Sequence, residues 1–242
     1  GFGCLGEPRP DIEDETLELT GTVIDIVGGV ALQGIEVAAC EFFDANCESP
    51  PATDTSDADG KVELSIPLSS SGPQGFNGLL RISGTGRRVA DDETVEITTT
   101  YWRFSNRLRP DDGGNQVALR FEVGSDADLT TLLSPQGVTR EAGRGLVTFE
   151  VRDCDGSPVR DAVVSLEDSV EGARVFYVTE DLPFDATAEA TNASGRGGIF
   201  TLPTGRHRVS VEVDGYPIVD EVSFRVFDDQ LTFLRLDPRI EG

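Results

Sequence analysis

The sequence predicts an all-β protein built as two tandem sandwiches, on three observations. Short apolar runs alternate with polar residues at period two, and 27 glycines and 13 prolines punctuate them throughout. One strand–turn–strand pattern also occurs twice. The 242 residues suffice for one large domain or two of ordinary size, and the repeat decides for two. "LTGTVIDIVGGVALQGIEVAA" (19–39) and "GLVTFEVRDCDGSPVRDAVVSLE" (145–167) each read as an alternating strand, a turn and a second alternating strand. Val23 falls opposite Val151, Asp25 opposite Asp153 and Val37 opposite Val164. Downstream, "TSDADGKVELSIP" (55–67) matches "TNASGRGGIFTLP" (191–203), with Gly60 against Gly195 and Pro67 against Pro203. A spacing of about 130 residues is too wide for a solenoid and suits tandem domains.

Taken in order, residues 1–16 form an acidic tail broken by Pro8 and Pro10, which alone has no core to join. Residues 17–124 make the first sandwich, with about seven short strands separated by turn signals. Residues 125–144 are the connector and hold the one helix the sequence supports. Ser125 or Asp126 caps it, Leu129, Leu132 and Leu133 pack it, and Pro135 with Gly137 ends it. Residues 145–238 make the second sandwich. Within it, Asn192, Ser194 and Gly195 turn the chain, and Ile199, Phe200 and Leu202 form a short apolar strand. Pro203 to Gly205 turn again, and Val209, Val211 and Val213 alternate with Ser210 and Glu212.

Composition narrows the function. The net charge is −24 and Lys61 is the only lysine, so the surface repels phosphate backbones and anionic lipid and nucleic-acid binding is disfavoured. No segment approaches the ~20 apolar residues of a membrane helix. The lack of a secretory leader fits a cytosolic chain or a processed one, and the cysteines favour the second. Cys40 and Cys47, in "ACEFFDANC", are close enough to bridge, and closing so short a loop stabilises by roughly 2.5 kcal/mol in the chain-entropy account. Their spacing suits neither a redox CxxC nor a zinc motif, and one histidine cannot complete a zinc site. Cys4 and Cys154 either pair with each other or have separate fates. An oxidising, extracytoplasmic compartment is expected.

The motifs "DGSPVRDAVVSL" and "TNASGRGGIFTLPTGRHRVSVEVDGY" resemble the carboxypeptidase regulatory-like domain, also called peptidase-associated or transthyretin-like. "GTVIDIVGGVALQGIEVAAC" and "TDTSDADGKVELSIP" resemble it more loosely, and its closing strands are less recognisable in the first copy. The likeness covers about two thirds of the chain and implies two transthyretin-like, immunoglobulin-like sandwiches of accessory rather than catalytic role. The layout is also similar to secreted proteins and lipoproteins of myxobacteria. Those have a first copy carrying V-x-x-C and D-x-x-C, here Val37, Cys40, Asp44 and Cys47, and a second opening D-C-x-G-x-P-V, here Asp153 to Val159. If Cys4, in "GFGC", served as a lipobox cysteine it would carry a lipid anchor; the alternative is a Cys4–Cys154 disulfide holding the tail.

The chemistry-bearing residues are few. His207, the only histidine, sits mid-strand and is expected to be exposed; no nucleophile elbow accompanies it. A single histidine excludes zinc-carboxypeptidase chemistry and the two-His, two-Tyr iron site of intradiol dioxygenases. Lys61 lies beside a turn rather than within an early strand, which disfavours the Lys–Asn isopeptide bond of some sandwich domains. The acidic runs 54–60, 109–115, 124–128 and 227–229 invite a structural calcium, but counting twelve from Thr55 reaches Ile66 where an EF-hand needs Glu. Paired carboxylates for glycosidase work rank lower still. "NAS" (192–194) is explained by its turn. In "TTTYWRF", Tyr101, Trp102 and Phe104 are a candidate binding surface for a glycan or a protein, and the competing reading has Trp102 sealing the junction between the two domains.

The expected function is a non-catalytic binding or adhesion module, extracellular or in the outer envelope, whose partner is a surface protein or glycan. The alternative is the subunit of a filament, a homopolymer growing by β-strand addition of the N-terminal segment, the acidic tail of residues 1–16 with "LELTGTVIDI" behind it, to a neighbour's sheet edge.

Overall fold

The structure, a computed structural model, describes residues 2–5, 11–44, 46–110, 115–167, 170–180 and 184–238. It is all-β apart from one short helix, and it divides into two compact units. The N-unit comprises Arg9–Trp102 and Arg107–Leu129; the C-unit comprises Gly1–Pro8, Arg103–Asn106 and Thr130–Gly242.

The strands of the first half are β1 (Thr16–Asp25), β2 (Leu32–Gln33), β3 (Glu36–Glu41), β4 (Ala52–Thr55), β5 (Lys61–Pro67), β6 (Gly78–Ser83), β7 (Thr85–Arg88), β8 (Thr94–Glu96), β9 (Thr100–Phe104) and β10 (Gln116–Val123). One layer of the N-unit sandwich has the order β10-β1-β5, the other runs from β9 through β6 and β3 to β4, and β2-β7-β8 forms a small third sheet. β1 is the central strand of its layer. It pairs parallel with β10 from Glu18↔Gln116 to Asp25↔Val123, and antiparallel with β5. Its alternation places Leu17, Leu19 and Val23 in the core with Val62, Leu64, Ile66 and Phe121. Gly21 is required there: a Cβ would stand 2.4 Å from Cε2 of the Phe121 ring.

The helix follows as α1 (Asp126–Leu133). Ser125 caps it in a reciprocal arrangement. Asp128 N–H donates to Ser125 Oγ at 3.2 Å, and Ser125 N–H donates to Asp128 Oδ2 at 2.9 Å. Pro135 lies in the single 3-10 turn Ser134–Gln136, and Gly137 closes it at φ 67°.

The remaining strands are β11 (Arg144–Val151), β12 (Ala162–Leu166), β13 (Arg174–Tyr177), β14 (Arg196–Pro203), β15 (Gly205–Val213), β16 (Tyr216–Val226) and β17 (Leu231–Leu236). The C-unit layers are β13-β14-β11-β17 and β12-β15-β16, with Val147, Phe149, Val151, Ile199, Val209, Val211, Phe224 and Leu234 in the core between them.

The sequence repeat is a repeat of structure. β11 pairs antiparallel with β14 and parallel with β17, as β1 does with β5 and β10. Val23 N–H donates to Gly60 O, and Val151 N–H donates to Gly195 O, both at 2.8 Å. Gly60 (φ 74°) and Gly195 (φ 67°) occupy left-handed turns in which a Cβ would press on the carbonyl of Val23 or Val151, at 2.6 and 2.5 Å. A buried hydroxyl recurs as well. Ser56 Oγ accepts Ile35 N–H (2.9 Å) and donates to Leu32 O (2.7 Å). Thr191 Oγ1 accepts Ala162 N–H (2.9 Å) and donates to Val159 O (2.7 Å).

The units differ from the sequence-derived boundaries: the expected connector 125–144 is divided after Leu129, and two further segments group with the C-unit. The first residues group with the C-unit, where Cys4 is bonded to Cys154. Arg103–Asn106 also groups there: Ser105 N–H donates to Arg235 O (2.9 Å) and Asp237 N–H donates to Ser105 Oγ (2.8 Å). Side-chain hydrogen bonds to main chain far along the sequence leave no periodic signature.

Candidate functional site

Both cysteine pairs form disulfides, Cys40–Cys47 and Cys4–Cys154, so the thiol of Cys4 is bonded rather than available for a lipid. The aromatic run does not make an exposed platform. Tyr101, Trp102 and Phe104 are 7%, 6% and 3% exposed, and the Trp102 ring meets Phe121 edge-on at 5.1 Å between centroids. The reason is β9 itself, whose burial is nearly continuous rather than alternating. His207 is likewise buried, not exposed, with Nε2 2.8 Å from Pro203 O and its ring beside Phe224. It lies on the inner face of β15 with Val209 and Val211, which the alternation of that strand already implied.

The acidic run 54–60 serves its own turn, and in the run 227–229 Asp228 Oδ1 accepts Gly143 N–H at 2.7 Å. Asp57 Oδ1 accepts the N–H groups of Asp59 and Lys61 (both 2.8 Å), and the N–H groups of Lys61 and Asp59 hold its carboxyl below the usual carboxylate value. Asn192 Oδ1 accepts Ser194 N–H (2.8 Å), as its turn role requires. In the run 109–115, residues 111–114 lie outside the described residues. Among the described residues no group of three or more His, Cys, Asp or Glu side chains is placed to hold a metal ion.

What the fold does present is the loop that the Cys40–Cys47 disulfide closes. β3 ends at Glu41 and the chain turns through Phe42 and Phe43 before Cys47. Phe43 is 91% exposed, the most solvent-facing large apolar side chain among the described residues, and Phe42 is 40% exposed. The rings meet edge to face at 5.4 Å. The described residues on either side of them are tied in place. Cys40 and Cys47 are buried, Phe42 N–H donates to Asn77 O, and Cys47 N–H donates to Asp44 O. Asp44 clamps the descending arm, its carboxylate accepting Glu48 N–H (3.0 Å) and Ser49 N–H (2.9 Å). Those N–H groups, Ser49 first, hold the Asp44 carboxyl below its ordinary value, so it stays anionic. The result is an aromatic pair beside the acidic residues Glu41, Asp44 and Glu48.

The sequence reading passed over these two rings, taking "ACEFFDANC" for its cysteines alone. A signal was present. Two adjacent aromatics cannot both face one core from a strand, and an eight-residue cystine ring has no interior to bury them.

No family model matches the chain, and no curated protein matches it. Solved structures similar to it include the shaft pilin SpaA of Lactobacillus rhamnosus GG, at 14% identity over 93% of this chain and 98% of that one, TM-score 0.29. GBS52, the minor pilin of Streptococcus agalactiae, matches at 13% identity over 93% and 97%, TM-score 0.31. BcpA, the major pilin subunit of Bacillus cereus, matches at 18% identity over 46% and 30%, TM-score 0.29. Likeness at this level assigns no activity or partner to this chain.

Proposed function

We propose that the chain is a non-catalytic binding or adhesion module, extracellular or held in the cell envelope, which engages a protein or glycan through the Phe42–Phe43 loop. The observation that carries this reading is the 91% exposure of Phe43 on a loop closed by a buried disulfide. An apolar ring held in water has no stability to offer the fold, whereas a rigid aromatic anchor loses little freedom on binding. Two disulfides and no free cysteine among the described residues support an oxidising compartment. The duplicated unit, with its paired glycine turns and buried hydroxyls, supports assignment to the carboxypeptidase regulatory-like group.

The test is binding of the purified protein to a glycan array and to isolated cell envelopes, beside Phe43→Ser. Binding lost in the variant at unchanged melting temperature is expected. Equal binding by both proteins, or none by either, refutes the reading.

The filament alternative is favoured by the place of β1. It is the first strand, and its departure would open a groove between β10 and β5 that a neighbour's β1 could fill. Polymers in negative-stain images whose growth is blocked by excess peptide of residues 16–25, the sequence of β1, would support it; a population of single particles at all concentrations would not.

A further inference from the structure

The face of an aromatic ring is electron-rich and its edge electron-poor, so what stands around an exposed ring decides which chemistry meets it. Phe43 is 91% exposed, and Phe42 meets it edge to face at an interplanar angle of 86°, so the Phe43 ring keeps surface open to a ligand. Neither phenyl ring carries a conventional hydrogen-bonding atom.

The surroundings of the pair carry charge of one sign. From residue 10 to residue 60 the sequence has thirteen aspartates and glutamates and no lysine, arginine or histidine. Three of those acids belong to the loop. Glu41 follows Cys40 and Glu48 follows Cys47, and the disulfide holds the two cysteines 5.1 Å apart between Cα atoms, so both acids flank the turn that bears the rings. Asp44 follows Phe43 directly. Among the described residues none of the three is ion-paired. The cation whose field reaches Asp44 is Arg81, and its guanidinium is already engaged, donating to Glu36 Oε1 at 2.9 Å and to Cys47 O at 3.3 Å.

We infer that the partner of this loop is a cationic protein segment, with an arginine guanidinium on the open face of Phe43 and neighbouring basic side chains against Glu41 and Glu48. The inference rests on the reading of the Phe42–Phe43 loop as a binding site, and it chooses between the protein and the glycan left open there. Three arguments make the choice. A cation is drawn to the electron-rich face of an aromatic ring. A guanidinium is planar and weakly hydrated, so it stacks on that face more readily than an ammonium does. The unpaired carboxylates of the loop, within a chain of net charge −24, attract cations towards the ring and repel anions. A neutral glycan gains nothing from that field and finds no polar atom on either ring, and an acidic glycan is repelled.

The test is fluorescence anisotropy at about 0.15 M salt, with labelled octapeptides that alternate glycine with arginine, lysine, serine or glutamate. The arginine peptide is expected to bind most tightly, the lysine peptide less so, and the serine and glutamate peptides not at all. Phe43→Leu keeps an apolar side chain and loses the aromatic face, and is expected to weaken the arginine peptide by about two- to fivefold. Phe43→Ser is expected to weaken it further, and Phe43→Trp to bind at least as tightly as the parent. Glu48→Gln is expected to cost about twofold, and Glu212→Gln, on an exposed position of β15, nothing. Circular dichroism checks that each variant is folded. An arginine peptide bound no tighter than the lysine or serine peptide, equal binding by the parent and Phe43→Leu, or no binding by the parent would overturn the inference. Competition separates it from the reading beneath it. Envelope binding that needs Phe43 but is released by oligosaccharides and not by unlabelled arginine peptide overturns the cationic partner and leaves the binding loop standing. Envelope binding that does not need Phe43 overturns both.

Discussion

Replacing Thr191 with valine isolates the buried hydroxyl that both units share. Thr191 is 2% exposed, and its Oγ1 serves Ala162 N–H and Val159 O at 2.9 and 2.7 Å. Valine keeps the volume and shape, so no cavity opens. What changes is that one buried donor and one buried acceptor lose their partner, at about 1–3 kcal/mol each. The sum is about 2–6 kcal/mol, a large share of what an ordinary domain has to lose. For a unit of this size it corresponds to a melting temperature lower by about 10 °C or more. Thr191→Ser keeps the hydroxyl and should fall within about 1 kcal/mol of the parent, since only a methyl is removed. Urea titration followed by tryptophan-independent circular dichroism, with calorimetry alongside, reads both variants. Ser56→Ala tests the same device in the N-unit, where Ile35 N–H and Leu32 O lose their partner. A Thr191→Val protein melting within about 2 °C of the parent would refute the argument, since backbone groups left unpaired in a dry core cannot cost so little.

Phe43→Ser should change stability by less than about 1 kcal/mol by denaturant titration, because the ring is 91% exposed and its contact with Phe42 lies at the surface. Gly195→Ala should destabilise by at least about 1 kcal/mol, since φ is 67° and the new Cβ would meet Val151 O at 2.5 Å; a neutral result by calorimetry would contradict the turn geometry. Asp25 gives a pH dependence. Burial opposes its charge, but the Val27 N–H, the Arg88 guanidinium and the Gly28 N–H outweigh that and hold its carboxyl below the ordinary value. A carboxyl depressed in the folded state adds stability above its unfolded value, and that stability is lost as pH falls below about 4. Asp25→Asn should therefore flatten part of the acid limb of the stability profile, and an unchanged limb would exclude the role. Under graded reductant, alkylation and mass measurement should find Cys4 and Cys154, both partly exposed, labelled before the buried Cys40 and Cys47.

The architecture was legible where local chemistry and global fold agree. Gly60 and Gly195 could be matched by eye because a left-handed turn pressed against a carbonyl admits little else, and the matching strands alternate because one face is core. The helix cap was legible for the same reason: Ser125 and Asp128 satisfy each other within one turn. The parallel pairing of β1 with β10 was not, because strands nearly a hundred residues apart declare themselves only by alternation, which every other strand shares. The aromatic run of β9 misled for a related reason. Alternation assigns faces only when one face meets water, and a strand covered on both sides offers no polar positions to mark it.

The readings that concern function lie at places where the fold spends nothing. Phe43 leaves nearly all of its ring in water, so no periodicity, cap or turn rule predicts it. The buried Cys40–Cys47 disulfide turns an exposed phenylalanine from a surface accident into a fixed projection, since a ring on a floppy loop would fold back onto apolar surface. A chain of net charge −24 draws cationic partners through its field and repels anionic ones. The Phe42–Phe43 pair adds a short-range aromatic contact that such a field does not supply.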